Sequence, residues 1–119
     1  MRVKDAVGRY GEQRAAEYLQ ERGLTILARN WRCGDGELDV IAKDGDVLVF
    51  CEVKTRSGTR YGDPAEAIDN DKIRRLRLLA LRWLASNKPG GPIRSLRFDV
   101  VAVVRHSDRV TIRHIRGAL

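Results

Sequence analysis

The sequence predicts an α/β domain built on a mixed central β-sheet of about five strands flanked by helices. Apolar residues recur at helical and strand spacing in the order helix, three strands, helix, two strands. Residues 47–53 are apolar on both alternating faces, as expected for a central strand that is covered on both sides. The length of 119 residues suits one compact domain over 1–119.

The first predicted helix covers residues 5–22. Its apolar stripe recurs at helical spacing and contains Val7, Gly11, Ala15, Tyr18 and Leu19. Gly23 follows in the usual position for a helix stop. Residues 24–31 then indicate the first strand, although the polar Arg29 and Asn30 leave its end open.

A hairpin follows. Residues 37–42 and 47–53 are predicted strands, and the turn at 43–46 contains Asp-Gly between two apolar runs, which is a strong hairpin signal. The two strands should therefore be antiparallel neighbours.

The second helix is predicted to begin at residues 63–66, which supply a cap, a proline in the first turn and a glutamate three positions after the cap. It should run to about Asn87 and be followed by a Pro- and Gly-rich connector at 89–92. Two further strands, 96–104 and 110–115, complete the sheet.

Composition favours an anionic partner. The formal net charge is +7 and the isoelectric point is about 10, which points to nucleic acid first and to an acidic protein or membrane surface next. Between residues 72 and 98 there are eight Lys or Arg residues and no acid; a solvated helix face with a basic loop is the plain alternative. No apolar run approaches the roughly 20 residues of a membrane span, so no membrane association and a cytoplasmic location are expected. Cys33 and Cys51 make neither a disulfide framework nor a four-ligand zinc site.

Charged residues at the hairpin strands indicate a metal site. Residues two apart in a strand share a face, so Glu37 lies with Asp39 and Glu52 lies with Lys54. Counted outward from the turn, Asp39 falls opposite a position between Val49 and Glu52, which can bring Asp39 and Glu52 together. Two adjacent carboxylates repel unless a cation sits between them, and Mg²⁺ prefers oxygen ligands. The alternative is a set of edge charges, or a structural salt bridge between Asp39 and Lys54.

An acidic residue ending one strand, followed by (D/E)xK on the next, resembles the PD-(D/E)xK nuclease superfamily, with Leu38-Asp39 in place of its Pro-Asp. Nearly the whole chain is similar to the YraN-like family of predicted endonucleases, which are similar in fold to archaeal Holliday-junction resolvases. The stretches that carry this resemblance are Gly8-x-x-Gly11-Glu12, Asn30-Trp-Arg-Cys33, Gly36-Glu-Leu-Asp39, Val49-Phe-Cys-Glu-Val-Lys-Thr-Arg56 and Tyr61-Gly-x-Pro-x-Glu-Ala67.

The resemblance implies a restriction-endonuclease-like fold and a site that binds Mg²⁺ or Mn²⁺. Asp39, Glu52 and the backbone carbonyl of Val53 would be metal ligands, and Lys54 the catalytic lysine. Glu12 matches the helix glutamate of the resolvase-like branch, which acts as a ligand directly or through water.

Periodicity independently places Glu12 at the border of the apolar stripe, next to Leu19, although a solvated position remains the alternative. Glu37 stays open between two interpretations: it supports a metal ligand, or it acts as a cap or pairs with an arginine.

Five residues are candidates for nucleic-acid binding. Arg56, Arg60 and Tyr61 follow the third strand, where the arginines would hold phosphates and the tyrosine would stack on a base. An ordinary charged loop is the alternative. Lys72 and Arg75 on the second helix would contact the nucleic-acid backbone.

The second helix also suggests a homodimer. Residues 76–85 are apolar on nearly all sides, and Leu78 and Leu81 lie opposite the main stripe. A second subunit or the chain's own loops would cover them.

His106 and His114 lack ligand spacing and are interpreted as surface or strand residues.

These observations together predict a metal-dependent endonuclease that cleaves nucleic acid. The resemblance implies DNA rather than RNA, with branched or repair and recombination intermediates as substrates. The alternative is a nucleic-acid-binding module with a silent nuclease-type site. A protein-interaction module whose basic helix meets an acidic partner is a third, more distant interpretation.

Overall fold

The computed structural model describes residues 3–57 and 70–118. The elements follow in the order α1 (Val3–Glu21), β1 (Thr25–Cys33), β2 (Gly36–Asp44), β3 (Val47–Ser57), α2 (Asn70–Ser86), β4 (Ser95–Arg105) and β5 (Val110–Ile115). The structure confirms the predicted α/β class, the five strands and the order of helices and strands along the chain. The expected helix start at 63–66 lies outside the described residues, as do Arg60 and Tyr61.

The five strands form one mixed sheet in the order β1-β2-β3-β4-β5. All neighbours are antiparallel except β3 and β4, which are parallel and are separated in the chain by α2. Sequence pattern predicted that β3 ends at Val53, but it continues to Ser57 because each residue from Lys54 onward pairs with β4. Backbone pairing in the ladder does not require apolar side chains.

Each face of the sheet is covered by one helix, as the two-sided apolar pattern of β3 predicted. The cluster under α1 contains Ala15, Leu19, Leu24, Val40, Ala42, Val49, Cys51, Val101 and Val103. The cluster under α2 contains Leu38, Ile41, Leu48, Phe50, Leu76, Leu79, Ala80, Trp83 and Phe98. On the outer side of α2, Leu78 and Leu81 are 43% and 61% exposed. The dimer remains a prediction.

A close approach fixes α1 against the end of β3. A Cβ atom at Gly11 would lie 1.8 Å from Oγ1 of Thr55, so only glycine permits this packing distance. Glu12 is the next residue, and its position over the sheet therefore depends on the Gly11–Thr55 contact. The helix closes beyond Glu21, where Gly23 adopts a φ of 92° and the amide of Leu24 donates to the carbonyl of Leu19.

The sheet forks at one end of the hairpin. The last paired residues of β2 and β3 are Val40 and Cys51. Beyond them β2 pairs only with β1, as far as Gly36, while β3 pairs only with β4. Asp39 is the first residue of β2 past the last pair, and Glu52 is the first such residue of β3. The two strands therefore diverge at the predicted metal ligands.

Alternation of side chains breaks at the same point. Leu38 packs under α2 and Val40 packs under α1, although residues two apart in a regular strand share a face. On the neighbouring strand, Asn30 has a φ of 51°, an uncommon left-handed conformation that asparagine tolerates. These irregularities in β1 and β2 accompany the fork and leave Asp39 at its base.

Among the described residues, no helix combines the length and apolar character needed to cross a membrane.

Candidate metal centre at the fork of the sheet

The side chain of Asp39 is hydrogen-bonded to the backbone of β3, the strand that diverges from β2 at this point. The amide of Val53 donates a 2.9 Å hydrogen bond to Oδ2 of Asp39. Because the β2–β3 ladder has already ended, the carboxylate takes the place of a strand partner for this amide. The bond fixes one carboxylate oxygen and connects the predicted ligand on β2 directly to β3.

Two further acids join Asp39. One carboxylate oxygen from each of Glu12, Glu37 and Asp39 lies within 4.8 Å of the others. Glu12 comes from α1, whereas the other two come from β2. Glu37 also pairs with Arg32 at 2.8 Å, so the structure shows the arginine contact and membership of the acidic group together.

Negative charge is in excess at this group. Burial raises the pKa of Asp39 to about 6, and the charges of Glu12, Glu52 and Glu37 add to the effect against the hydrogen bond from Val53. Burial also raises the pKa of Glu12, and the charge of Glu37 contributes, although a hydrogen bond with Asn30 opposes the shift. A divalent cation among these oxygens would relieve both repulsions.

Glu52 faces two lysines. Its Oε1 contacts Nζ of Lys54 at 3.2 Å and also contacts Nζ of Lys72, which reaches β3 from α2. The three side chains are only 12–17% exposed. The other oxygen, Oε2, is buried and has no hydrogen-bond partner within 3–57 and 70–118. An unsatisfied buried carboxylate oxygen is costly, so this atom is suited to accept a ligand.

The residues present fit a hard divalent cation. Asp39 and Glu52 line one pocket of about 310 Å³, and Glu12 adjoins it through Asp39. Carboxylate oxygens are the donors that Mg²⁺ and Mn²⁺ prefer, and the ion keeps several waters of its own. Among the described residues, the pocket is lined by Gly36, Glu37, Asp39, Cys51, Glu52, Lys72, Arg75 and Leu76.

Two neighbouring ammonium groups, those of Lys54 and Lys72, contact Glu52. Burial lowers the pKa of Lys54, and the adjacent Lys72 lowers it further against the attraction of Glu52. For Lys72 burial acts in the same direction, but its hydrogen bond with Glu52 outweighs this and raises its pKa. The acidic group around Asp39 thus lies beside the ammonium groups that contact Glu52. This arrangement suits a metal ion bound next to a phosphate.

The predicted nucleic-acid contacts have different locations. Arg75 and Lys72 both line the pocket of the acids, and Lys72 also pairs with Glu52. Arg56 bonds the carbonyl of Thr55 at 3.0 Å and lines a second, larger pocket that also contains Glu12.

One buried polar network was missed by sequence reasoning. Asp99, fully buried on β4, accepts bonds from Arg97 at 2.9 and 3.0 Å, from Gly117 at 2.9 Å and pairs with His114 at 2.7 Å. His114 lies on β5, in agreement with the strand interpretation, and its side chain is 4% exposed. Arg and Asp two apart within an apolar strand were the available signal.

Cys51 adjoins this network, since its sulfur lies within 4.8 Å of ligand atoms of Asp99 and His114. The guanidinium of Arg97 already neutralises the carboxylate, and both oxygens of Asp99 have partners. The network is therefore structural. Cys51 belongs to the core under α1.

Comparison with known proteins identifies the family. The family described as "Uncharacterised protein family UPF0102" matches residues 11–103. The chain belongs to this family. A UPF0102 protein of Frankia casuarinae is 56% identical over 119 residues and covers 99% of both chains. A UPF0102 protein of Beutenbergia cavernae is 51% identical over 118 residues and covers 98% of both. UPF0102 membership confirms the resemblance to the YraN-like family, and the matched region includes every site residue from Glu12 to Arg75.

Proposed function

We propose that this protein is a metal-dependent endonuclease that hydrolyses phosphodiester bonds in nucleic acid, with DNA favoured over RNA. The observation that supports this most strongly is the fork of the sheet, where Glu37, Asp39 and Glu52 line one pocket with Lys72, and where Lys54 pairs with Glu52. Phosphodiester hydrolysis needs both the carboxylates, which would hold the metal ion that activates water, and the ammonium groups, which offset the negative charge that grows on the phosphate.

The carboxylates are the residues that would hold the ion. Asp39 and Glu52 are the primary ligands, the carbonyl of Val53 adds a third oxygen, and Glu12 binds directly or through water. Glu37 joins this set as a neighbour of Asp39 and Glu12. When bound there, Mg²⁺ or Mn²⁺ supplies Lewis acidity toward a phosphate oxygen and acidifies the attacking water.

Lys54 provides the positive charge of the site. Its ammonium is mostly buried and lies 3.2 Å from Glu52, so it is kept at a fixed position beside the acids. From there it donates hydrogen bonds to the attacking water and to the phosphate oxygens that gain charge. Such a preorganised donor in a partly dry site is worth more than the same charge in water.

The net charge of +7 supports a polyanionic substrate, which binds through phosphates. Arg75, on the wall of the pocket, is placed to hold a neighbouring phosphate. Branched, repair and recombination intermediates are the substrate class that resemblance to the resolvases suggests.

A nucleic-acid-binding module with a silent site is the second candidate. The ion pairs of Glu52 with Lys54 and Lys72 favour it, because the protein's own cations already neutralise this carboxylate. Binding alone would then use the basic surface without any chemistry at the fork.

Cleavage assays distinguish the two candidates. Branched, single-stranded and duplex DNA and a single-stranded RNA are incubated with the purified protein in Mg²⁺, Mn²⁺ or a chelator. We expect metal-dependent cleavage of at least one DNA substrate, abolished by Lys54→Ala. Lys43→Ala is the matched control, since Lys43 lies at the turn end of the hairpin and bonds Gly90 instead.

Binding without cleavage of any substrate in either metal would establish the silent module. Cleavage that survives Lys54→Ala would show a contaminating nuclease and would remove the support for the assignment.

A further inference from the structure

Lys72 approaches the site from a different element than the other charged groups. It lies in the first turn of α2 (Asn70–Ser86), and its ammonium pairs with Oε1 of Glu52 on β3. Both side chains are mostly buried, at 17% and 12% exposure. The pair therefore links the helix to the forked end of the sheet, in an environment where charge interactions are strong.

Glu52 is shared unevenly. Lys54 and Lys72 both contact Oε1, so two like charges lie side by side on one oxygen. Oε2, by contrast, has no hydrogen-bond partner within the described parts of the chain. One carboxylate carries one negative charge, and the local sum over these three groups is positive.

A divalent cation and Lys72 compete for this carboxylate. An ion on Glu52 would place two positive charges beside two ammonium groups, and Coulomb repulsion over a few ångströms in a partly buried site is substantial. Lys54 is on the same strand and face as Glu52 and has little freedom to withdraw. Lys72 lines the pocket with Arg75 and can turn into it.

We propose that Lys72 is a displaceable counter-ion, which neutralises Glu52 in the metal-free protein and turns to a phosphate of the nucleic acid when a divalent cation takes its place. This inference rests on the proposed function, because it takes Glu52 as a metal ligand. Its consequence is coupling: the metal frees an ammonium for the phosphate, and a bound phosphate stabilises the freed ammonium. Metal and nucleic acid should then strengthen each other's binding reciprocally.

Calorimetric titration with Mn²⁺, without nucleic acid, tests the competition directly. The parent is compared with Lys72→Met and with Arg75→Met, which removes the same charge from the same helix and pocket but not an ion pair with Glu52. We expect Lys72→Met to bind Mn²⁺ on the order of tenfold more tightly than Arg75→Met, because only the first removes a direct competitor.

Equal affinities of the two variants, in a parent whose Mn²⁺ binding is lost on Asp39→Asn, would overturn the role of Lys72 and leave the metal centre intact. A parent that binds no Mn²⁺, or binds it independently of Asp39, would overturn the metal centre and this inference together. The single titration series therefore separates the two failures.

A measurement on the unmutated protein covers the case in which Lys72→Met does not fold. The side-chain ¹⁵Nζ signal of Lys72, assigned with Lys72→Arg, is followed during addition of Mg²⁺. We expect it to shift as the ion pair with Glu52 breaks, in step with saturation of the site. A signal that stays constant while Mg²⁺ binds would refute displacement.

Discussion

The backbone amide of Val53 donates its hydrogen bond to the side chain of Asp39, over 2.9 Å, at the first position where β2 no longer pairs with β3. The carboxylate thus replaces a strand partner, and one of its oxygens lies within 4.8 Å of carboxylate oxygens of Glu12 and Glu37. This relationship connects the irregular backbone of the fork to the proposed chemistry. Where the strands diverge, the amide of Val53 has no partner on the β2 backbone and bonds instead to Asp39, a proposed ligand of the ion.

Asp39→Asn should abolish cleavage while preserving the fold. An amide oxygen still accepts the bond from Val53, but the charge that holds a metal is gone, so we expect a loss of at least about 10²–10³-fold in cleavage rate. Affinity for nucleic acid should be unchanged or higher, since a carboxylate near a phosphate is repulsive. Cleavage kinetics and binding isotherms check both parts. An Asp39→Ala variant that cuts DNA as fast as the parent would refute the assignment.

The pH dependence of stability should reveal the buried charge of Asp39. Its pKa is raised to about 6, so its contribution to stability is present in full below about pH 4 and is lost as pH rises through 6. The substituted side chain of Asp39→Asn stays neutral throughout. The free energy of unfolding of this variant, relative to that of the parent, should therefore rise by on the order of 2 kcal/mol between pH 4 and pH 8. Urea unfolding in a chelator measures this. A constant difference between parent and variant at the two pH values would contradict the prediction.

Two glutamates of α1 provide a matched pair. Glu12 faces Asp39, whereas Glu17 bonds Gln13 and Arg14 on the outer side of the same helix. We expect Glu12→Gln to weaken Mn²⁺ binding by about 10–100-fold, as for groups that support metal sites. Glu17→Gln should leave the affinity unchanged. Calorimetry decides, and equal effects of the two substitutions would exclude Glu12 from the metal centre.

Gly11→Ala should push α1 away from β3. Its Cβ would lie 1.8 Å from Oγ1 of Thr55, and we expect overpacking to cost about 1–3 kcal/mol in unfolding free energy. The Cβ of Gly8→Ala meets no neighbouring atom of the described residues within 4 Å, so this substitution should instead stabilise the helix by about 0.5–1 kcal/mol. Chemical denaturation compares them.

A second substitution tests whether the contact itself is responsible. Thr55→Gly removes the side-chain atoms that the added methyl group of Gly11→Ala would meet, so the cost of the alanine should largely disappear in that background. If the double variant shows additive losses, the Gly11–Thr55 contact does not set the position of α1.

Asp99 should be a structural carboxylate. Burial by itself would raise the pKa of Asp99, but hydrogen bonds from His114, Arg97 and Gly117 hold it below its ordinary value. Its contribution is therefore present above about pH 4 and is lost as pH falls through the lowered pKa. Asp99→Asn should cost about 3 kcal/mol at neutral pH, because Arg97 loses a buried partner.

Thermal unfolding at pH 7 and at pH 3 checks this sign, with the exposed Asp108→Asn as the control. We expect Asp99→Asn to unfold at a much lower temperature than the parent at pH 7, and we expect this difference to be smaller at pH 3. A loss that is equal at both pH values would show that packing, and not the charge network, explains it.

Local pattern was sufficient for much of the architecture. Period-two alternation and the Asp-Gly turn predict a hairpin. Its register puts Asp39 and Glu52 each one position beyond the last pair, Val40 and Cys51, and Lys54 contacts Glu52. These relations involve residues close in the chain, where the strand period and a short turn leave little geometric freedom.

Other features depended on how distant elements dock. Lys72 reaches Glu52 only because α2 packs against that face, and Glu37 joins Glu12 only because Gly11 allows α1 to approach β3. The extension of β3 to Ser57 likewise requires β4 beside it. The break in alternation between Leu38 and Val40 did not follow from the strand period. In the regular parts of the strands the sequence alone determined which side chains share a face, because that follows from covalent geometry. Only the tertiary structure decided which helix residues meet them, because packing distances between elements leave no periodic trace in the chain.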